Sequence, residues 1–260
     1  MGLPLVGPID ALCRGMITEP PDPQRRAFGP RYLQGPPPDA VALALGLSMR
    51  EIMHVGEIVR SMLKDLWTSL QSGDEDFCRK VSERDDQVDQ LDAHIKRYLT
   101  GLASQALDQA SAAEQMRQLR YLNELETIGD VIDKNLCELV LKKIGLRVDF
   151  SEDGGAELEK FYNMVLENLL VADTAFTTRN GDLAQKLLKH KERVNEFERE
   201  LRDRHFTRLN AGLVESHETS AIHLDLLSQL KRINSCVSHV GYAILLDTTQ
   251  RQAPADRTVE

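Results

Sequence analysis

Four carboxylates stand at matched spacing in the first half of this 260-residue chain: Asp85 with Asp89, and Glu126 with Asp130. A separation of four places both members of a pair on one helix face, and two such faces side by side offer hard oxygen ligands to a cation. Asp92 and Asp133 extend the same faces. The competing reading is a solvated acidic surface with no ligand, and residue type alone leaves both open. A second candidate, Glu51-Ile52-Met53-His54, contains the Glu-x-x-His step of di-iron bundles. Such centres need two of these motifs and further glutamates, so Glu51 and His54 read as helix-surface residues. His94, His190, His205, His217, His223 and His239 lack a regular ligand spacing, and neither a phosphate-cradling glycine loop nor a nucleophile elbow is present.

The segments that must position these groups occur twice. Asp85–Ile95 returns as Lys191–Leu201, and Leu125–Asp130 returns as Leu230–Ser235 at nearly the same offset. Duplicated units of roughly a hundred residues are each large enough for a small core. Apolar positions stay apolar between the copies, whereas Asp85, Asp89, Glu126 and Asp130 stand opposite Lys191, Asn195, Lys231 and Ser235. Whatever the acidic groups do belongs to the first half.

Composition narrows the fold and the partners. Hydrophobic residues make up 42% of the chain and aromatics only 5%, which suits helix bundles packed from aliphatic side chains better than sheet sandwiches. A net charge of −9 and a pI near 5.4 argue against general nucleic-acid binding and against electrostatic docking on anionic lipid. Cys13, Cys78, Cys137 and Cys236 form no CxxC pair and read as thiols of a reducing cytoplasm. The sequence contains no apolar run long enough to span a membrane.

Nine of the ten prolines precede Asp39 and the tenth is Pro254. Proline costs about 3 kcal/mol in a helix interior, so the stretch between is free to be all-helical. The expected division is a Pro-rich leader (1–38), a first three-helix bundle (39–146), a linker (147–155), a second three-helix bundle (156–250) and a disordered tail (251–260). Asp39 is the expected N-cap of helix 1, which ends near Ser72-Gly73-Asp74, and helix 2 runs from about Asp74 to Ala103. Ser111-Ala112-Ala113-Glu114 has capping-box spacing for helix 3. Gly154-Gly155, Asn180-Gly181-Asp182 and Gly212–Ser216 mark the later boundaries. Helix 6 carries a heptad seam, Leu226, Leu230, Ile233, Val237, Val240 and Ile244, and helix 3 repeats it as Tyr121, Leu125, Ile128, Ile132, Asn135 and Leu139. These stripes are core.

The string Leu125-Glu126-Thr127-Ile128-Gly129-Asp130, on the third helix of a duplicated three-helix unit, resembles the PhoU family of bacterial phosphate-transport regulators, as does the acidic run Asp85–Asp92. The resemblance covers about 40–247 and implies an all-α fold of two tandem three-helix bundles. Further upstream, Gly29-Pro30-Arg31-Tyr32-Leu33, the prolines, Ala40–Ala44 and Met49–Ile52 resemble the junction where the membrane part of bacterial sodium/phosphate cotransporters gives way to a cytoplasmic PhoU-like domain. On that resemblance Leu3 to Ile17 would be a remnant of the membrane part, and the membrane repeats that carry sodium and phosphate are absent from this sequence. PhoU proteins hold metal clusters on paired Glu/Asp-x-x-x-Asp motifs, so the implied ligands are Asp85, Asp89, Glu126 and Asp130, for Mg, Mn or Fe. With Leu125 at a heptad a position, Glu126 and Asp130 fall at b and f, facing water, and an ion would sit in a shallow groove between helices 2 and 3.

The function implied is a non-enzymatic regulator of phosphate transport, cytoplasmic or at the inner face of the plasma membrane, acting on a membrane transporter or phosphate sensor, with self-association left open. The alternatives are a ferritin-like di-iron oxidase built on Glu51 and His54, and a structural adaptor whose acidic stripe only confers solubility. The leader, with Arg25, Arg26 and Arg31, is either an attachment near a membrane or a flexible tether.

Overall fold

Confinement of proline to the two ends of the chain leaves room for six long helices, and the computed structural model has six among the described residues. It describes residues 29–102, 107–212 and 214–252, with backbone alone for 214–218 and 247–252. The expectations for Leu3 to Ile17, for Arg25 and Arg26 and for the tail beyond 252 lie outside the described residues. Helix α1 is Val41–Ser72, α2 is Asp76–Leu102, α4 is Glu152–Thr178, α5 is Gly181–Asn210 and α6 is Val214–Gln252. Between α2 and α4, Gln109–Asp130, a π-helical turn Val131–Leu136 and Cys137–Leu146 form one continuous helix, α3. Helices α1 to α3 pack as one antiparallel bundle and α4 to α6 as a second; the bundles meet chiefly through α1 on α4 and α3 on α6.

Local signals set the ends, with four corrections. Helix α1 is preceded by Ala40 without a side-chain cap, so Asp39 is not the N-cap. The N-cap of α3 is Asp108, whose side chain accepts from the Ser111 amide, so Ser111 and Glu114 lie inside the first turns rather than forming a capping box. Gly154 and Gly155 belong to the first turn of α4, which is capped by Ser151. Glu51 and His54 are buried, not surface residues. The α1–α2 turn fits its chemistry: Gly73 takes φ +72°, a left-handed conformation that glycine adopts without steric cost. Asn180 caps α5 by accepting from the amides of Asp182 (2.8 Å) and Leu183 (3.1 Å).

The α6 seam is buried along its whole length, Leu226 to Ile244. The α3 seam holds from Tyr121 to Ile132 and then departs from expectation, because Asn135 and Leu139 are only half-buried while Leu136, Cys137 and Val140 fill the core. The π-turn is the cause. The Cys137 amide bonds to the Ile132 carbonyl, five residues back, which inserts one residue and rotates everything downstream to a new face. This turn begins immediately after Asp130, so the helix is remodelled at the edge of the acidic motif. Trp67 of α1 stacks on Tyr162 of α4 with ring centroids 4.4 Å apart, and Tyr121 of α3 meets Phe176 of α4 at 4.3 Å. The described part of the leader is docked: Leu33 is buried, and Arg50 lies 4.3 Å over the Tyr32 ring.

Candidate metal centre

The antiparallel packing of α2 on α3 brings three of the four expected carboxylates together. One oxygen each from Asp89, Glu126 and Asp130 lies within 4.8 Å of the others. Ligand oxygens around a Mg or Ca ion are held about 3 to 5 Å apart by bonds of about 2.1 to 2.5 Å, so small side-chain rotations suffice to converge on an ion. Glu126 and Asp130 are half-buried along the α2–α3 groove, which corrects the expectation that b and f positions face only water. Burial raises the Glu126 carboxyl above its ordinary value, and the charges of Asp130 and Asp92 add to the shift. The Asp89 carboxyl is likewise raised, first by burial, with Lys134 opposing and Asp130 and Asp92 adding.

Asp85 sits deeper and does not join the triad. Its side chain is 5% exposed, and its Oδ1 is buried without a hydrogen-bond partner. A Cβ built on Gly129 would stand 3.0 Å from that oxygen. The glycine of the Leu125–Asp130 string therefore makes the cradle in which the Asp85 carboxyl lies. Its pKa is pushed up to about 7, by burial first and then by the charges of Asp133, Asp89 and Asp130, while Lys134 opposes. A buried carboxyl with an orphaned oxygen costs free energy as an anion unless it is protonated or meets positive charge. The donor set of oxygens, the cradle and the orphaned atom all fit a hard cation.

The groups around the triad are accounted for. Lys134, on the π-turn and 58% exposed, pairs with Asp130, and an ion pair so exposed is worth about 0 to 1 kcal/mol, little hindrance to a competing cation. Asp92 pairs with Lys96 at 2.8 Å and keeps a buried Oδ1 without a partner. Asp133 accepts from Ser82. Glu51 spends both carboxylate oxygens on backbone amides of the leader, Arg31 N at 3.1 Å and Tyr32 N at 2.6 Å. It anchors the leader to α1, and its oxygens are occupied. His54 has both ring nitrogens buried without hydrogen-bond partners, and burial lowers its pKa.

The second bundle shows what replaces the acidic set. Lys231, opposite Glu126, donates to Glu198 at 2.9 Å, and Arg202 binds the other oxygen of the same carboxylate. Burial raises the Glu198 carboxyl, but these two hydrogen bonds outweigh it and leave the pKa below the ordinary value. Asn234, opposite Gly129, accepts from Asn168, whose Oδ1 lies 2.7 Å from His190 Nδ1. Positive side chains and neutral amides fill the place of the carboxylates, so this groove is self-neutralised. Sequence reasoning assigned no role to Gly129 or Lys134; the signal for Lys134 was its position four residues after Asp130.

The comparisons with known proteins agree with this architecture. The PhoU domain model matches residues 52–140 and again 158–244. The chain is 29% identical over 245 residues, 94% of its length, to the Escherichia coli K12 protein named "Putative inorganic phosphate export protein YjbB", of which it covers 44%. It thus spans less than half the length of that relative. It is 28% identical over 183 residues to the phosphate-specific transport system accessory protein PhoU homolog 1 of Thermotoga maritima, covering 68% of this chain and 75% of that one. The crystal structure of PhoU from Pseudomonas aeruginosa superposes with a TM-score of 0.73 at 17% identity, over 80% of this chain and 99% of that one. Two matched repeats, each a three-helix bundle and together well over half of the sequence, place this chain in the PhoU family.

Proposed function

We propose that the chain is a non-enzymatic regulatory unit of phosphate transport, with 39–146 and 156–250 as its two repeats, that holds a di- or trivalent cation such as Mg, Mn or Fe on Asp89, Glu126 and Asp130 with Asp85 behind them. The observation that carries the metal reading is the orphaned Asp85 oxygen, buried against Gly129 directly behind three clustered carboxylates. A bound cation would supply the positive charge that lets Asp85 ionise and the like charges of the groove coexist. The chain's own residues do the rest. Gly129 leaves room for the carboxyl, the π-turn orients Asp133 and Lys134 beside it, and Lys134 offsets part of the negative charge. The phosphate reading is supported by the names of the relatives. Among the described residues no helix is long and apolar enough to cross a membrane. The unit would act on a transporter of the sodium/phosphate cotransporter or exporter class from its cytoplasmic face. It would do so by favouring one of that partner's conformations.

The test is phosphate uptake and release in cells lacking the protein, complemented with the wild-type chain or a Glu126→Gln/Asp130→Asn variant, alongside Mn2+ titration of both purified proteins. The reading expects altered phosphate flux on deletion, no rescue by the variant, and loss of Mn2+ binding. Unchanged flux in phosphate-rich and phosphate-poor growth would leave the structural adaptor as the better account. A di-iron oxidase gains nothing from the geometry, since Glu51 is occupied by the leader backbone.

A further inference from the structure

Cys78, near the start of α2, and Cys137, the first residue after the π-turn of α3, are free and buried. Both line one open groove of about 520 Å³, together with Glu75, Ser82, Asp133 and Leu141. The two thiols share this one wall, and the Ser69 hydroxyl stands 3.5 Å from the Cys78 sulfur. We propose that Cys78 and Cys137 form an oxidisable dithiol, a modification site at which a peroxide closes a disulfide between α2 and α3.

The two sulfurs have different roles. Pairing with Cys137 lowers the Cys78 thiol, against burial that raises it. Cys137, the partner that keeps its proton, is raised by that same pairing and by burial. We take Cys78 as the nucleophile and Cys137 as the resolving thiol, an order that the single-cysteine variants below test. The Cys78 thiolate attacks one oxygen of hydrogen peroxide; an S–O bond forms and the O–O bond breaks. The departing hydroxide takes up the proton that Cys78 released, giving water and a sulfenic acid. Cys137 then attacks the Cys78 sulfur, the S–S bond forms, and the hydroxyl leaves with the Cys137 proton as a second water. Two thiols are oxidised by two electrons in total and one peroxide is reduced. A small neutral oxidant suits the groove, because Glu75 and Asp133 on its wall repel anionic disulfides. Cys236 is an internal control, being buried with its thiol pushed up to about 11 by burial and then by Glu124.

The experiment treats the purified full chain with hydrogen peroxide, blocks residual thiols with iodoacetamide, and maps the digest by mass spectrometry without reduction. The expected result is a Cys78–Cys137 linked peptide, a mass loss of about 2 Da, reversal by dithiothreitol, and a thermal midpoint raised by several degrees through closure of a long loop. Cys137→Ser should leave a sulfenic acid on Cys78 that dimedone traps, and Cys78→Ser should leave Cys137 reduced. Cys78 and Cys137 staying as reduced as Cys236, or Cys78 passing to sulfinic acid without the linked peptide, would overturn the proposal. If a variant does not fold, alkylation rates in the folded wild-type chain decide: Cys78 labelling faster than Cys236 supports the dithiol, and equal rates overturn it.

Discussion

Neutralising Asp85 should stabilise the metal-free protein at neutral pH, although the Asp85→Asn change leaves a polar group at that buried position. The Asp85 carboxyl has a pKa of about 7 in the folded chain and about 3.9 when unfolded. Between those values the folded state binds a proton that the unfolded state does not, so unfolding releases it and stability falls as pH rises. The penalty is absent below about pH 4 and fully expressed above about pH 7. Three units correspond to about 4 kcal/mol as an upper bound, and water reaching the groove beside Asp89 reduces this to about 2. Asp89 and Glu126 shift in the same direction, so the measurement is a difference. Urea unfolding in EDTA at pH 5 and pH 8 should show the wild type losing about 1 kcal/mol more than Asp85→Asn, and Mn2+ should narrow that difference. Equal pH dependence in the two proteins would refute the reasoning, since the orphaned carboxyl would then carry no cost.

Three further outcomes test other parts of the structure. Gly129→Ala gains about 1 kcal/mol of helix propensity but places a methyl 3.0 Å from Asp85 Oδ1; urea unfolding should find it destabilising in the wild type and stabilising in an Asp85→Ala background. Asp173 of α4 binds Arg60 of α1 and accepts from Tyr121 of α3, so Asp173→Ala, which strands a mostly buried guanidinium between the bundles, should cost about 3 kcal/mol by denaturant titration. Asn180→Ala removes two amide caps from α5 and should cost about 1 kcal/mol in a thermal melt.

The all-helical class and the duplication were legible in the sequence. They rest on local properties, namely proline placement, apolar periodicity and turn residues, which act within a few positions of themselves. The α6 seam was read correctly to its last buried residue, Ile244, because nothing interrupts its helix. The α3 seam was read correctly only to Ile132. Whether a helix widens into a π-turn depends on how its neighbours fill the core, and α6, α2 and α1 supply that answer from elsewhere in the chain. Tertiary packing likewise separated Asp85 from Asp89, two acids that look equivalent at a spacing of four. One faces the groove with Glu126 and Asp130, and the other is enclosed against Gly129. The leader's dock on Glu51, the Asp173 clamp and the groove shared by Cys78 and Cys137 join residues far apart in the chain. No pattern in one segment encodes such contacts, because burial, desolvation and charge proximity are properties of the assembled fold.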